Sequence, residues 1–347
     1  MIWKIGKRES SDPVQSEANG SRFNPSRKRI GLVLGSGSSR GWAHIGVIEA
    51  LEEEGLPIDY IVGCSIGAYV GAIYAAGGLK SLKDFVLKMD GKKVFSYFDV
   101  VFPRSGLLNA TKKLKELFFM HTEAREFSEL RIPVFMVATD LQSGEKVVLK
   151  SGNLLDALRA TMSVPGLFAP ARIKDRWLVD GGLVDPVPVG VARSEEADIV
   201  IAVDLSGTIV SRTRAVPKPA EPGEGEKAEE PSESERSYAG QLMSKLTDYY
   251  QMAEAGFRAT IGELFQQESA APDIIETVTT SIAIMQRRIN RINLAVDPPD
   301  ILIEPRLGEL RMMDFDQVAH TIEEGYIAAR EKMADIRNLY ESMPVSG

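Results

Sequence analysis

The stretch DYIVGCSIGAYVGAIYAAGG, residues 59–78, decides the fold that we predict for this chain. It opens with a short apolar run of strand type and continues into small residues that end in a pair of glycines, which is typical of a helix. Between the two, GCSIG (63–67) fits the pattern G-x-S-x-G, in which a serine lies on a strained turn from a strand into a helix. Two interpretations follow: Ser65 is a nucleophile, or the segment is a glycine-rich turn that packs a helix on a strand.

The residues before this stretch extend the same pattern. RIGLVLG (29–35) predicts a buried strand, and RGWAHIGVIEALEEEG (40–55) has apolar residues at helical spacing. Strand, helix, strand and helix in succession indicate right-handed crossovers and a parallel sheet. Further strands are predicted at 133–141, 146–150, 176–180, 197–205 and 300–305, and further helices at 153–166, 238–294 and 314–336.

Changes in composition predict the domain organisation. Residues 1–27 are polar and aperiodic, and we expect a flexible N-terminal arm. Residues 28–205 contain most of the predicted strands and are interpreted as the catalytic domain. Residues 206–237 are rich in Pro, Gly, Ser and Glu, which predicts a disordered acidic loop. The helical part 238–347 holds one late strand and is expected to complete the same domain.

The composition also excludes several classes of protein. The 347 residues carry a formal net charge of -8, so no basic field recommends a nucleic-acid partner. We see no secretory signal, no apolar run of about 18 residues, and only one cysteine, so we expect a cytoplasmic chain. Without paired cysteines, H-x-x-x-H or a calcium loop, we expect no metal and no cofactor.

A nucleophilic serine requires a base, and histidine is the usual one. The chain has His44, His121 and His320. Chain order allows a triad of Ser65, Asp180 and His320, but His320 lies off the apolar face of its predicted helix. Asp180 instead ends an apolar strand in RWLVDGG, at the sheet edge where ligands bind, and could take the serine proton directly. The alternative is that Asp180 is only a turn residue.

A glycine-rich loop, LGSGSSRG (34–41), follows the first strand. Its N–H groups favour either an oxyanion hole or a phosphate cradle. Arg40 stands where the dinucleotide pattern needs its third glycine, and the Walker lysine is missing as well. The loop therefore predicts an anion site without a nucleotide.

These three motifs in this order resemble the patatin-like phospholipases, and are similar to the bacterial branch related to neuropathy target esterase. The resemblance covers roughly 29–205, including ATDLQSGE and LRATMSVPGLFAP, and more loosely DPPDILIEP. It implies an α/β fold of three layers, with a mostly parallel central sheet flanked by helices. It further implies a serine esterase of phospholipase or lysophospholipase type, acting on lipid-like acyl esters.

The resemblance also implies roles for individual residues. Ser65 would be the nucleophile and Asp180 the base, with no histidine. N–H groups around Gly37 and Ser38 would bind the oxyanion, and Arg40 would help to hold negative charge or only brace the loop. The motif glycines are Gly63, Gly67, Gly181 and Gly182, while Asp140, Arg159 and Pro165 match family positions that we interpret as structural.

The sequence departs from the family pattern at two places. Ser36 and Ser38 replace glycines of many members, although the bacterial branch is similar to GSG. Serine keeps its backbone N–H, so the oxyanion hole can survive if these serines avoid positive φ. Asp185 stands where an asparagine is common, which places a second carboxylate near Asp180; the sequence leaves open whether this changes the proton affinity of Asp180.

Three alternatives remain open at the level of sequence. The acyl-enzyme could pass its acyl group to an alcohol or a carrier, which would make the protein an acyltransferase. The fold could instead belong to a catalytically weak lipid-binding regulatory protein. The helical residues 238–268 are interpreted either as a core-packing helix or as a lid or peripheral membrane contact.

Overall fold

The computed structural model describes residues 27–88, 111–207, 274–308, 310 and 317–342. The chain divides into two compact units, one of residues 1–209 and 278–347 and the other of residues 210–277. Only 274–277 of the second unit are described. The predicted N-terminal arm, the acidic loop and the segment 238–268 lie outside the described residues, apart from residue 27 and residues 206–207.

One sheet of eight strands forms the centre of the first unit. The strands are β1 (Ile30–Leu34), β2 (Tyr60–Cys64), β3 (Val134–Asp140), β4 (Lys146–Leu149), β5 (Ala171–Ile173), β6 (Arg176–Asp180), β7 (Ile199–Val203) and β8 (Ile301–Ile303). Pairing runs β5-β6-β3-β2-β1-β7-β8, and β4 also pairs with β3. The five strands from β3 to β8 in this order are parallel, whereas β4, β5 and β6 pair antiparallel.

Eight α-helices within the described residues accompany the sheet. They are α1 (Ala43–Glu53), α2 (Ile66–Ala75), α3 (Leu79–Val86), α4 (Thr111–Phe119), α5 (Leu154–Thr161), α6 (Val189–Ser194), α7 (Ile274–Val296) and α8 (Val318–Ser342). No helix among the described residues is long and apolar enough to cross a bilayer. The predicted strands are all present, while β5, α3, α4 and α6 had no prediction.

Apolar side chains on both faces of the sheet make the core. In β1, Ile30 and Leu32 pack into a large cluster with α1, α2 and α8, whereas Val33 packs on the opposite face with side chains of α6. This alternation follows from the two-residue period of a strand. The predicted three-layer α/β fold is therefore confirmed, with the antiparallel strands confined to one part of the sheet.

The C-terminal elements complete this sheet and its helical layer. β8 extends the sheet by pairing with β7. α8 crosses α1 at very close range: a Cβ on Gly46 would lie 2.0 Å from the carbonyl oxygen of Ile322, and one on Gly325 would lie 2.0 Å from that of Ala43. β8 and α8 thus belong to the same unit as the first strand.

Candidate active site

Ser65 lies on the turn between β2 and α2. Its backbone angles are φ 54° and ψ -123°, a conformation that residues with a side chain rarely adopt. Such strain costs about 1–3 kcal/mol and persists only where the surroundings fix it. A Cβ on Gly63 would lie 2.4 Å from the Cα of Ala68, and one on Gly67 would lie 2.1 Å from the carbonyl oxygen of Leu34. The glycines of GCSIG therefore provide the clearance that the turn needs.

The carboxyl ends of β2 and β6 meet beside β3. Because β4 pairs with Val137 and Ala138 on one side of β3, β2 and β6 share its other side. There Cys64, the last residue of β2, pairs with Val137, and Asp180, the last residue of β6, pairs with Ala138. Ser65 follows Cys64 directly, so two neighbouring positions on β3 bring the serine and the aspartate together.

A short hydrogen bond joins the two side chains. Ser65 Oγ donates to Asp180 Oδ2 at 2.6 Å, and Asp180 Oδ1 accepts the N–H of Gly182 at 2.7 Å. Asp180 is fully buried and Ser65 is only 6% exposed. Burial raises the pKa of Asp180 to about 6, against the opposing effect of the hydrogen bonds from Ser65 and Gly182. The carboxyl group is therefore ionised at neutral pH and basic enough to accept a proton.

The strand that ends at Asp180 runs in a direction that the sequence did not indicate. We expected it at the carboxyl edge of a parallel sheet, but β6 runs antiparallel to β3. Its position results from the register of β6, which begins beyond the end of β2 and runs back toward it. The glycines after Asp180 are tightly placed too: a Cβ on Gly181 would lie 2.2 Å from the carbonyl oxygen of Val137, and one on Gly182 would lie 2.3 Å from Nε2 of Gln286.

Thr161 fixes the backbone of the serine turn, and sequence reasoning missed it. Its Oγ1 accepts the N–H of Ser65 at 2.8 Å and donates to the carbonyl oxygen of Val137 at 2.5 Å. Thr161 ends α5 and is fully buried. The sequence signal that pointed to it was its place within LRATMSVPGLFAP, a stretch that the family resemblance covers.

The glycine-rich loop leaves two N–H groups free. Those of Gly35 and Ser36 donate to backbone carbonyls of neighbouring segments. Within the part of the chain that the structure describes, the N–H groups of Gly37 and Ser38 donate to no acceptor. Two unpaired donors at the end of β1, next to the serine turn on β2, are what binding of an oxyanion requires.

Ser38 carries the strain of this loop. Its φ is 52°, whereas Gly37 has φ 177°, which is extended backbone that any residue adopts. The condition we set from the sequence, that the serines of the loop avoid positive φ, is therefore not met at Ser38. A side chain in this conformation costs about 1–2 kcal/mol, so the loop keeps its shape at some expense in stability.

Arg40 and His44 brace the loop from inside. Arg40 donates through Nε and Nη2 to the carbonyl oxygen of Leu310, and through Nη1 to that of Leu205. His44 Nε2 donates to the carbonyl oxygen of Gly35 at 2.8 Å, and complete burial lowers the pKa of His44 to about 4. These contacts match the bracing alternative for Arg40 and make His44 a neutral structural residue.

The other two histidines lie elsewhere. The His121 ring is hydrogen-bonded to the hydroxyl of Ser81 at 2.9 Å, and His320 is exposed on α8. Among the described residues, no imidazole is hydrogen-bonded to Ser65 or Asp180. The structure therefore pairs serine and aspartate directly, as the family resemblance implied.

Asp185 has its own partners. Its Oδ2 accepts from Lys146 Nζ at 2.8 Å, and its Oδ1 accepts from Asn293 Nδ2 at 3.2 Å. Asp185 is not among the causes of the raised pKa of Asp180, which are its burial and the opposing hydrogen bonds from Ser65 and Gly182. Across the described ranges, no group of three or more His, Cys, Asp or Glu side chains is placed to hold a metal ion.

The residues of this site lie within a stretch that matches a known protein family. The model of the patatin-like phospholipase family matches residues 32–193, which include the glycine-rich loop, GCSIG and Asp180. Residues 32–193 are a patatin-like phospholipase domain. The eight-stranded mixed sheet with helices on both sides is the patatin fold.

Relatives of this patatin-like domain include proteins of the branch inferred from the sequence. An uncharacterized NTE family protein of Mycobacterium tuberculosis is 39% identical over 183 residues, covering 53% of this chain and 51% of the relative. Human patatin-like phospholipase domain-containing protein 6 is 34% identical over 182 residues, covering 51% of this chain and 13% of that protein. Lysophospholipase NTE1 of Lodderomyces elongisporus is 34% identical over 201 residues, covering 54% of this chain and 13% of that protein. The chain thus spans about half the length of the mycobacterial relative and much less of the other two.

Among solved structures, VipD from Legionella pneumophila aligns with a TM-score of 0.44 and 14% identity. The alignment covers 90% of this chain and 67% of that chain. This is a distant likeness.

Proposed function

We propose that this protein is a serine hydrolase of lipid acyl esters, of phospholipase or lysophospholipase type, and that Ser65 and Asp180 carry the reaction. The observation that supports this most is the 2.6 Å hydrogen bond from Ser65 Oγ to Asp180 Oδ2. A nucleophile in direct contact with its base meets the geometric requirement for general-base catalysis.

The first half of the reaction forms an acyl-enzyme. Ser65 Oγ attacks the ester carbonyl carbon while its proton passes to Asp180 Oδ2. The carbonyl oxygen becomes an oxyanion, which the free N–H groups of Gly37 and Ser38 stabilise together with the N-terminus of α2. Collapse of this intermediate breaks the bond to the alcohol oxygen, and Asp180 returns the proton to that oxygen.

The second half releases the acid. Water attacks the acyl-enzyme carbonyl, and Asp180 takes one of its protons. The Ser65 Oγ–acyl bond then breaks, Asp180 gives the proton back to Ser65 Oγ, and a fatty acid leaves. Since the pKa of Asp180 is raised to about 6, the same carboxyl group serves as base and then as acid near neutral pH.

The lipid nature of the substrate is supported by the family and by the names of relatives. The family model is that of patatin-like phospholipases, and one relative bears the name lysophospholipase. Ser65→Ala and Asp180→Asn are expected to abolish release of fatty acid from a lysophospholipid, measured by mass spectrometry. The matched controls are Ser151→Ala and Asp175→Asn, at exposed positions. Full activity of either Ser65→Ala or Asp180→Asn overturns the assignment, and a glycerol acceptor in the same assay detects acyl transfer instead of hydrolysis.

A non-catalytic, lipid-binding role is the second candidate, and the strained Ser38 favours it. If the strain has displaced the N–H groups of the loop, the oxyanion is not stabilised and turnover is lost. Ser38→Gly relieves the strain and separates the two candidates. A hydrolase gains little from this change, whereas a damaged oxyanion hole is repaired, with an increase of ester turnover from background.

We also propose peripheral contact with an anionic lipid surface, through the outward face of α7. Ile284, Met285, Ile292 and Val296 are each more than half exposed on this helix, and Val296 is 73% exposed. Arg287, Arg288 and Arg291 lie among them, and residues 277–296 contain no acidic side chain. Apolar and cationic residues on one helix suit an anionic interface, despite the net charge of -8.

Sedimentation with vesicles tests this contact. Wild type is expected to sediment with vesicles containing phosphatidylserine, and a variant with Arg288→Glu and Arg291→Glu is expected to stay in the supernatant. The control exchanges two exposed arginines elsewhere, Arg172→Glu and Arg176→Glu. Equal sedimentation of all three proteins contradicts the proposed surface.

A further inference from the structure

The buried face of α7 is polar where it approaches the serine–aspartate pair. Within 277–296, the part of this helix whose side chains the structure describes, four residues are buried and three of them are polar: Thr279, Ile282, Gln286 and Asn290. A helix packed on a core normally buries an apolar stripe. These polar side chains therefore require hydrogen-bond partners. Among the described residues, two of their atoms have none: Gln286 Nε2, a donor, and Asn290 Oδ1, an acceptor.

Gln286 is the member without a partner for its buried donor. Its side chain is 7% exposed, and Nε2 has no hydrogen-bond acceptor among the described residues. Leaving such a group unpaired costs about 1–3 kcal/mol, so an acceptor is expected to fill this place during function. Gln286 and Ser65 are buried to a similar degree, with exposed fractions of 7% and 6%.

The amide lies beside the carboxyl group of Asp180. A Cβ on Gly182 would lie 2.3 Å from Gln286 Nε2 and 3.0 Å from Asp180 Oδ1, so both atoms border the same small volume. Two asparagines of α7 connect this helix to neighbouring segments through hydrogen bonds. Asn290 Nδ2 donates to Asp204 Oδ2 at 2.7 Å, and Asn293 Nδ2 donates to the carbonyl oxygen of Val184 at 3.1 Å.

We propose that Gln286 binds the alcohol part of the ester, through a hydrogen bond from Nε2 to an oxygen of that alcohol. This inference rests on the proposed hydrolase function, in which Asp180 returns its proton to the alcohol oxygen. Gln286 Nε2 lies near Oδ1 of the carboxyl group whose Oδ2 returns the proton. An alcohol bound at Oδ2 would therefore bring a further oxygen acceptor, where it carries one, toward this N–H donor. Glycerol hydroxyl and phosphodiester oxygens both have this chemistry.

Three esters with the same acyl chain distinguish the sources of that oxygen. An ester of unsubstituted phenol has no oxygen in its alcohol part beyond the ester oxygen itself. A monoacylglycerol offers hydroxyl groups, and a lysophospholipid offers hydroxyl and phosphodiester oxygens. Gln286→Met keeps the length of the side chain and removes the donor. The control is Gln142→Met, at an exposed turn position.

We expect Gln286→Met to lower kcat/KM about tenfold for one or both glycerol-based esters and less than twofold for the aryl ester. A loss confined to the lysophospholipid assigns the bond to phosphodiester oxygen, and a loss on both assigns it to hydroxyl. An equal loss on all three esters, or no loss on any, overturns the proposal. The aryl ester rate also shows that the variant is folded. If wild type hydrolyses none of the esters and behaves as Ser65→Ala, the hydrolase function itself is wrong, and this inference falls with it.

Discussion

Gly67, the second residue of α2, lies so close to the end of β1 that a Cβ at this position would lie 2.1 Å from the carbonyl oxygen of Leu34. The backbone of β1 offers no way to relieve this contact, because both of its neighbours in the sheet hold it. We expect Gly67→Ala to reduce the free energy of unfolding by about 1–3 kcal/mol or more, as overpacking does. Thermal unfolding measures it, with Gly207→Ala as control, whose Cβ would have its nearest neighbour at 3.9 Å. Equal melting temperatures of the two variants would contradict the close contact between Gly67 and the carbonyl oxygen of Leu34.

Asp180→Asn is expected to change how stability depends on pH. The pKa of Asp180 is raised by burial to about 6, from an ordinary value near 3.8, so the fold favours the protonated form. Protonation of Asp180 therefore contributes to the free energy of unfolding. This contribution is complete below pH 4 and is lost as the pH rises through 6, by at most about 3 kcal/mol. Wild type should therefore lose stability relative to Asp180→Asn between pH 4 and pH 8. A difference in melting temperature that stays constant over this range contradicts the raised pKa.

The rate of ester cleavage should rise with pH through the same region. A base must be deprotonated to accept the serine proton, so kcat/KM is expected to fall as the pH drops below about 6. His44 is not the source of this limb, because burial lowers its pKa to about 4. If kcat/KM instead falls only below about pH 4, buried Asp180 with its raised pKa is not the base. The pH profile of kcat/KM on a soluble ester is the measurement.

Thr161→Val should weaken the serine turn while keeping its shape. Valine leaves the N–H of Ser65 without its 2.8 Å acceptor and the carbonyl of Val137 without its donor. An unpaired buried group costs about 1–3 kcal/mol, so we expect lower stability together with a lower kcat. Thr161→Ser keeps the hydroxyl and serves as control, with near wild-type kcat. Equal kcat in both variants would show that the hydroxyl does not position Ser65.

Arg40→Met separates bracing from anion binding. The guanidinium of Arg40 donates to the carbonyl oxygens of Leu205 and Leu310, so its loss is expected to lower the melting temperature. Below that temperature kcat/KM should fall less than tenfold, because the oxyanion relies on backbone N–H groups. A fall of a hundredfold or more in a variant of unchanged stability would instead assign Arg40 to the oxyanion.

Much of the architecture is readable from local sequence. The apolar residues of β1 predict a strand, and the glycines of GCSIG predict a tight turn at Ser65. Three motifs in order carry the family resemblance. The antiparallel setting of β6 was not readable, because RWLVD has the same apolar pattern in either direction and its register depends on β3. β5 is only three residues long and gives no periodic signal of its own.

The supporting residues of the site were harder to predict than Ser65 and Asp180. Thr161 and Gln286 come from different helices, and their roles depend on which face of each helix turns inward. A helical pattern with polar residues predicts that they face solvent, yet Gln286 and Asn290 are buried. Such contacts arise from tertiary packing and leave no mark in the local sequence.

The direct use of Asp180 by Ser65 is tested best by covalent labelling with a fluorophosphonate, followed by peptide mass spectrometry. The account predicts a single adduct on Ser65 in wild type, formed at least about a hundredfold more slowly in Asp180→Asn, in line with the loss of a general base. Labelling of Ser65 at the same rate in Asp180→Asn, or no labelling of Ser65 in the folded wild type, would contradict it.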